Sequence, residues 1–280
     1  MNTHFIAFIN KHGIACASDT DMTLYALSKQ EPVVIVVNPY SPIPWDSIIN
    51  AYLRKGCSPL HDDFSDYARD FAEFLKTIDS QKKWANLTID EANVIFLGFG
   101  KDDLFPSAID AYVRHDKDTN MLQCQLYEEC HINHEYSAGY FMLSEFEIMQ
   151  PVLNGVGKSA MKSMIDKHTE GMKKYKERVA KTMKKAQCKT SIDDVQFDES
   201  EDFMRKLSEM TGYHQHQFSM AIDSFNIEDM VKVAETFIDA NDQLEHLKAG
   251  GIGLPNSTKE LAVITRTEGL TWIKHCLYGL

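Results

Sequence analysis

The sequence predicts an α+β fold: a four-layer αββα sandwich, two antiparallel sheets stacked between helices, with a helical insertion. Three observations predict it. Hairpin patterns stand near both ends of the chain, at 4–18 and 261–277. Helical stripes fall between groups of strands rather than alternating with them one for one, which suits helices layered on antiparallel sheets. Continuous apolar runs at Val33–Val37 and 93–99 need burial on both faces, and stacked sheets supply it.

Each element has its own signal. HFIAFI (4–9) and GIACAS (13–18) flank Asn10, Lys11 and His12, and Gly13 can take a positive φ, so a short hairpin is expected. The β-branched run from Val33 to Val37 reads as a buried strand. After the turn NPYSPIP, Trp45, Ile48, Ile49 and Leu53 recur at helical spacing. A second helix is predicted around 62–78, with Phe64, Tyr67, Ala68, Phe71, Leu75 and Ile78 on one stripe. NVIFLGFG (93–100), SAIDAYVR (107–114) and MLQCQLY (121–127) read as strands, and Ser144 to Leu153 as a helix stopped by Gly155. Asn226 caps a helix running to about Leu247, with Asp229 three residues on. LAVIT (261–265), a turn at Glu268-Gly269 and LTWIKHCL (270–277) form the closing hairpin.

Residues 156–224 interrupt this pattern, so the expected division is a sandwich from 1–155 and 225–280 with 156–224 inserted. Met161, Ile165, His168, Met172, Tyr175, Val179, Met183 and Ala186 make a stripe at spacings of three and four. From Lys158 to Lys189 there are eleven Lys and Arg against three acids, followed by the acidic DDVQFDESED (193–202) and a shorter helix near 199–211. Two readings stand. One is a solvated helical hairpin that packs its methionine stripe on the body; the other is a lid or docking arm for an acidic partner.

Composition narrows the function classes. At 280 residues, 44% hydrophobic and 25% charged, the chain can bury a substantial core, and no stretch approaches the ~18 apolar residues of a membrane span. No secretion signal is visible, and Cys16, Cys57, Cys124, Cys130, Cys188 and Cys276 are scattered, so reduced thiols and a cytoplasmic location are expected. A net charge of −12 argues against general nucleic-acid binding.

The N-terminal segment resembles processed proteasome β-subunits, within the N-terminal-nucleophile (Ntn) hydrolase superfamily. Those chains begin with threonine, an alternating strand, a His-Gly or Asp-Gly turn and an Ala-Ala-Asp-Ser segment with a threonine close behind. The counterparts are Thr3, the strand to Ile9, His12-Gly13, Ala17-Ser18-Asp19-Thr20 and Thr23. LYALS (24–28) is similar to the family's next strand, WDSIINAYL to its first long helix, and Tyr136-Ser137-Ala138-Gly139 to the segment before its third helix. AGGIGLPNSTKELAVITRTEGLTWI is similar to its Gly-Gly turn, penultimate strand and closing hairpin.

The resemblance implies a threonine-type peptidase that needs no cofactor. Thr3 would attack the amide carbonyl, and its own α-amine, with an ordinary pKa near ~7.7–8.0, would take the proton. Removal of Met1 and Asn2 would have to free that amine. Asp19 would orient the site and Ser137 would assist. The family's lysine falls where this chain has Thr23 or Leu24, which leaves Lys29 as the substitute candidate. The substrate would be a peptide or protein, and a homo-oligomer is expected. The alternative is a catalytically inactive Ntn-fold assembly or interaction protein that binds partners through its helical insertion; the missing lysine and the residues before Thr3 favour it, while the retained Thr3-to-Asp19 spacing favours the peptidase.

Other clusters offer less. Cys130, His131 and His134 (CHINH) stand at metal-ligand spacing, as do His214 and His216, but no partner pair completes a four-ligand site, so surface histidines and no metal are expected. Cys16 reads as a small buried hydrophobe. Gly98-Phe99-Gly100-Lys101 lacks the spacing and the Ser/Thr of a phosphate loop. Gly250, Gly251 and Gly253 are followed by a strand pattern rather than a helix.

Overall fold

A computed structural model describes residues 4–19, 23–28, 30–38, 41, 43–54, 61–78, 91–116, 118, 121–143, 149–185, 199–250 and 259–274. The chain divides into two compact units: 1–145 with 219–280, and 146–218.

Among the described residues the first unit holds ten strands in two five-stranded antiparallel sheets. β1 (Phe5–Asn10) and β2 (Gly13–Ser18) form the N-terminal hairpin, and β9 (Glu260–Thr265) and β10 (Gly269–Lys274) the closing one. With β8 (Ala138–Met142) they make a sheet of order β10-β9-β2-β1-β8. The second sheet runs in chain order through β3 (Thr23–Ala26), β4 (Val33–Val37), β5 (Glu91–Gly98), β6 (Ser107–Asp116) and β7 (Met121–His131).

Alternation along the strands divides the apolar side chains between two cores. Phe5, Ala7, Ile9, Ile14 and Cys16 of the first sheet pack with Val34, Val36, Ile95 and Leu97 of the second, between the sheets. Val33, Ile35, Val37, Val94 and Phe96 point the other way, onto α1 (Trp45–Arg54) and α2 (Phe64–Lys76). There Tyr52, Phe71 and Phe96 stack edge to face, with centroids 5.1 and 6.0 Å apart. Burial of each such ring contributes roughly 2–3 kcal/mol. The outer face of the first sheet receives α6 (Ile227–Lys248), through Phe8 against Phe237 at 6.0 Å. Asn226 caps α6 as expected, accepting from the Asp229 N–H at 2.9 Å. The α+β class and the antiparallel sheets stand as the sequence predicts, with six helices among the described residues.

In the second unit, α3 (Met149–Asn154) leads into α4 (Lys158–Lys185). α5 (Glu199–Ser224) returns along α4 and ends in the first unit. His168 stacks on Phe203 at 4.0 Å, and Gly155 lies against the His214 ring, which fixes the helices antiparallel. The helix expected near 199–211 runs on to Ser224, because Gly212 sits in open space and only weakens the helix locally. Met161, Ile165, His168 and Met172 are half-buried, while Lys162, Lys167, Lys173, Arg178 and Lys181 are exposed. No helix among the described residues is long and apolar enough to cross a membrane.

Candidate functional site

The N-terminal edge of the first sheet gathers the polar side chains. Odd positions of β1 face the inter-sheet core, so even positions face α6, as Phe8 does. His4, directly after Thr3 in the chain, therefore belongs to the α6 face. The β1–β2 register pairs Phe5 with Ser18, which sets Asp19 opposite His4. The Asp19 N–H donates to the His4 carbonyl at 3.2 Å, and the His4 N–H donates to Asp19 Oδ1 at 2.9 Å. His4 Nδ1 and Asp19 Oδ2 close the pair at 2.6 Å, with side chains 12% and 10% exposed. The hydrogen bond to Asp19 raises the His4 pKa; burial opposes it, and the charges of Asp19, Asp242 and Glu245 add to the rise. Asp242, on α6, brings a carboxylate oxygen to the same place: the donor atoms of His4, Asp19 and Asp242 all lie within 4.8 Å of one another.

The opposite face at this end is also polar. Ser18 is paired in register with Glu260, and both are buried. Alternation puts them on the inter-sheet side with Cys16 and Ala262. The Ser18 hydroxyl donates to the His4 carbonyl at 3.0 Å. Lys259, just before Glu260, is ion-paired with Asp239 of α6, and burial lowers its pKa.

The sequence-predicted residues are distributed unevenly. Thr3 and Lys29 lie outside the described residues. Asp19 is in the His4 cluster. Ser137 precedes β8, whose Ala138 pairs with Asn10, so it stands at the other end of β1. Six residue steps of extended chain, about 20 Å, separate His4 from Asn10, the partner of the residue after Ser137. The structure does not bring Ser137 to Asp19. Sequence reasoning passed over His4 and Asp242, since a strand histidine and a helix aspartate 238 positions apart share no spacing signal (242 − 4).

The other clusters have local explanations. The Cys16 thiol is buried between the sheets, and burial raises its pKa, so it is no nucleophile. Burial pushes the Cys124 thiol up to about 12. His131 Nδ1 pairs with the Ser107 hydroxyl at 2.7 Å, and His134 lies edge-on to Phe105. At the Gly98–Lys101 turn the Gly100 N–H donates to Asp103 Oδ2 at 2.7 Å, so a carboxylate already takes the place an anion would need. Gly251 and Gly253 lie outside the described residues. A cleft of about 400 Å³ opens between Ser28, Glu31, Val34, Arg266, Glu268 and Leu270. It lies beside the β9–β10 turn, where Ile264 pairs with Ile14, and so at the far end of the sheet from His4.

No protein-family model matches the chain, and no curated protein matches it. Among solved structures it is similar to a selenomethionine-labelled Anbu (Gly-1) mutant from Hyphomicrobium sp. strain MC1. The two share 18% identity over 59% of this chain and 74% of that one, at a TM-score of 0.33. It is also similar to Anbu (ancestral beta-subunit) from Yersinia bercovieri, at 12% identity over 97% of this chain and 87% of that one, with a TM-score of 0.38. Anbu proteins are proteasome-related but a distinct family, so the likeness to proteasome β-subunits read from the N-terminal segment is corrected. A hairpin with a His-Gly turn and an aspartate at its end is too general a device to separate such families. At these TM-scores the likeness is a loose one of fold and says nothing of threonine chemistry.

Proposed function

We propose that the chain is a non-hydrolytic interaction protein, built on an Ntn-type sandwich and docking an acidic partner through the exposed basic side of α4. One observation carries this reading: the charges acting on His4, the residue next to Thr3, are all carboxylates, from Asp19, Asp242 and Glu245. Such a field at His4 favours a bound cation and opposes a developing anion rather than stabilising it. Lys259, the cation at the start of the neighbouring strand, is already paired with Asp239.

Protein made in its native host is expected to keep Met1 and Asn2 by intact mass and to stay unlabelled by epoxyketone or vinyl sulfone. A covalent adduct on Thr3 would overturn this. The docking arm is tested separately on immobilised polyglutamate at low salt. Changing Lys173 and Lys181 to Glu is expected to abolish retention, because both lysines are exposed and the folded core does not use them. Undiminished retention would sink the arm.

A second reading has one observation in its favour. Asp19 accepts from the N–H of the residue after Thr3, which suits an orienting carboxylate beside a nucleophile. In it, Thr3 is the nucleophile of a threonine-type amidohydrolase after loss of Met1 and Asn2. The same mass and labelling experiment decides between the two.

A further inference from the structure

We propose that His4, Asp19 and Asp242 form a binding site for one divalent transition-metal ion, which would tie the start of the first strand to α6. The inference rests on neither reading of Thr3.

The donors come from three separate places in the chain: the residue before β1, the residue after β2, and the last third of α6. Their ligand atoms lie within 4.8 Å of one another. An ion about 2.0–2.2 Å from each donor holds them roughly 3.0–3.5 Å apart, so small side-chain rotations suffice. His4 Nδ1 and Asp19 Oδ2, at 2.6 Å, would open slightly, and Asp242 would close in. The other Asp19 oxygen is fixed by the His4 backbone N–H, which sets the plane of the carboxylate before any ion arrives.

The donor set chooses the class of ion. One imidazole with two carboxylates suits Mn²⁺ through Zn²⁺, whereas Ca²⁺ and Mg²⁺ favour all-oxygen shells. Two carboxylates against one imidazole also leave net negative charge, which a divalent cation neutralises.

A second observation comes from α6 itself. Asn241, next to Asp242, is 1% exposed, and its amide nitrogen is buried without a hydrogen-bond partner. One turn beyond Asp242, His246 also has a buried Nε2 with no partner. An unsatisfied buried polar atom costs about 1–3 kcal/mol. Within one turn of a proposed ligand, His246 Nε2 offers a lone pair that an ion takes, while the Asn241 amide, a donor, is served only by a water oxygen. His246, at i+4 from Asp242, stands on the same side of the helix and is the candidate fourth ligand.

The test uses the full chain, stripped with a chelator and titrated calorimetrically with Zn²⁺, Mn²⁺, Ca²⁺ and Mg²⁺ in turn. One equivalent of Zn²⁺ or Mn²⁺ is expected to bind, with Ca²⁺ and Mg²⁺ much weaker. Asp242→Asn is expected to weaken the transition metal at least ~10-fold without lowering the melting temperature of the chelated protein. If that variant fails to fold, His4→Gln takes its place with the same expectation. Substoichiometric uptake, an affinity untouched by either variant, or Ca²⁺ binding as tightly as Zn²⁺ would each overturn the proposal.

Discussion

Gly98→Ala is expected to destabilise the fold by ~3 kcal/mol or more, one of the largest single-site effects in the molecule. Gly98 ends β5 at φ +148°, a conformation that side chains rarely adopt. A Cβ there would meet the Pro32 carbonyl oxygen at 2.0 Å and the Val33 Cα at 2.8 Å. Neither obstacle can swing aside. Val33 is the register partner of Gly98, and the Pro32 carbonyl accepts from the Phe99 N–H at 3.2 Å. To make room, the edge of the β4–β5 ladder must part, and that ladder joins both cores. The measurement is urea unfolding followed by far-UV circular dichroism, with the midpoint falling and the slope unchanged. Gly171→Ala is the control, since the same change in the middle of α4 meets nothing within 4 Å and gains up to ~1 kcal/mol in helix propensity. A cost below ~1 kcal/mol at Gly98 would mean the strand end yields easily.

The contrast between these two glycines shows what could be read in the sequence. Period-two alternation and β-branched runs located β1, β2, β4 and β5, because their burial repeats with the chain itself. The Asn226 cap was legible for the same reason: its bond to Asp229 spans three residues. Properties set by strand register were not. Asp19 could be picked out by its spacing from Thr3, but its bond to His4 depends on the hairpin pairing Phe5 with Ser18. Alternation sets the face that pair occupies, but what covers it is α6, more than two hundred residues downstream. Ser137 shows the converse case. Its neighbours resembled a site segment, yet β8 pairs so that Ser137 falls beside the Asn10 end of β1. Local sequence proposes polar groups; sheet register decides which of them meet.

Asn10 gives this lesson its sharpest test. In the sequence it looks like one of three loop residues between two strands, and a substitution there would be expected to cost little. In the structure it is fully buried. Its amide donates to the Ile222 carbonyl at 2.8 Å and the Phe225 carbonyl at 2.9 Å, and its oxygen accepts from the His12 N–H at 2.8 Å. One side chain thus closes the hairpin turn and joins it to the chain that leaves α5 and enters α6. Asn10→Ala is expected to cost roughly 2–4 kcal/mol, since three hydrogen bonds go and the buried Ile222 carbonyl and half-buried Phe225 carbonyl lose the Asn10 donor. Asn10→Asp should be no better: it keeps an acceptor for His12 but turns a carboxylate toward two carbonyl oxygens. Lys11, one residue on, pairs with Asp223 at 3.6 Å with its side chain 49% exposed. Lys11→Ala is expected to cost under ~0.5 kcal/mol. The three variants are compared by thermal melting, with amide exchange at 226–231 as the local readout. Faster exchange there in Asn10→Ala, and not in Lys11→Ala, is expected because the start of α6 has lost its tie to β1. If Asn10→Ala behaves like Lys11→Ala, water reaches those carbonyls, and the start of α6 is held by its apolar face alone.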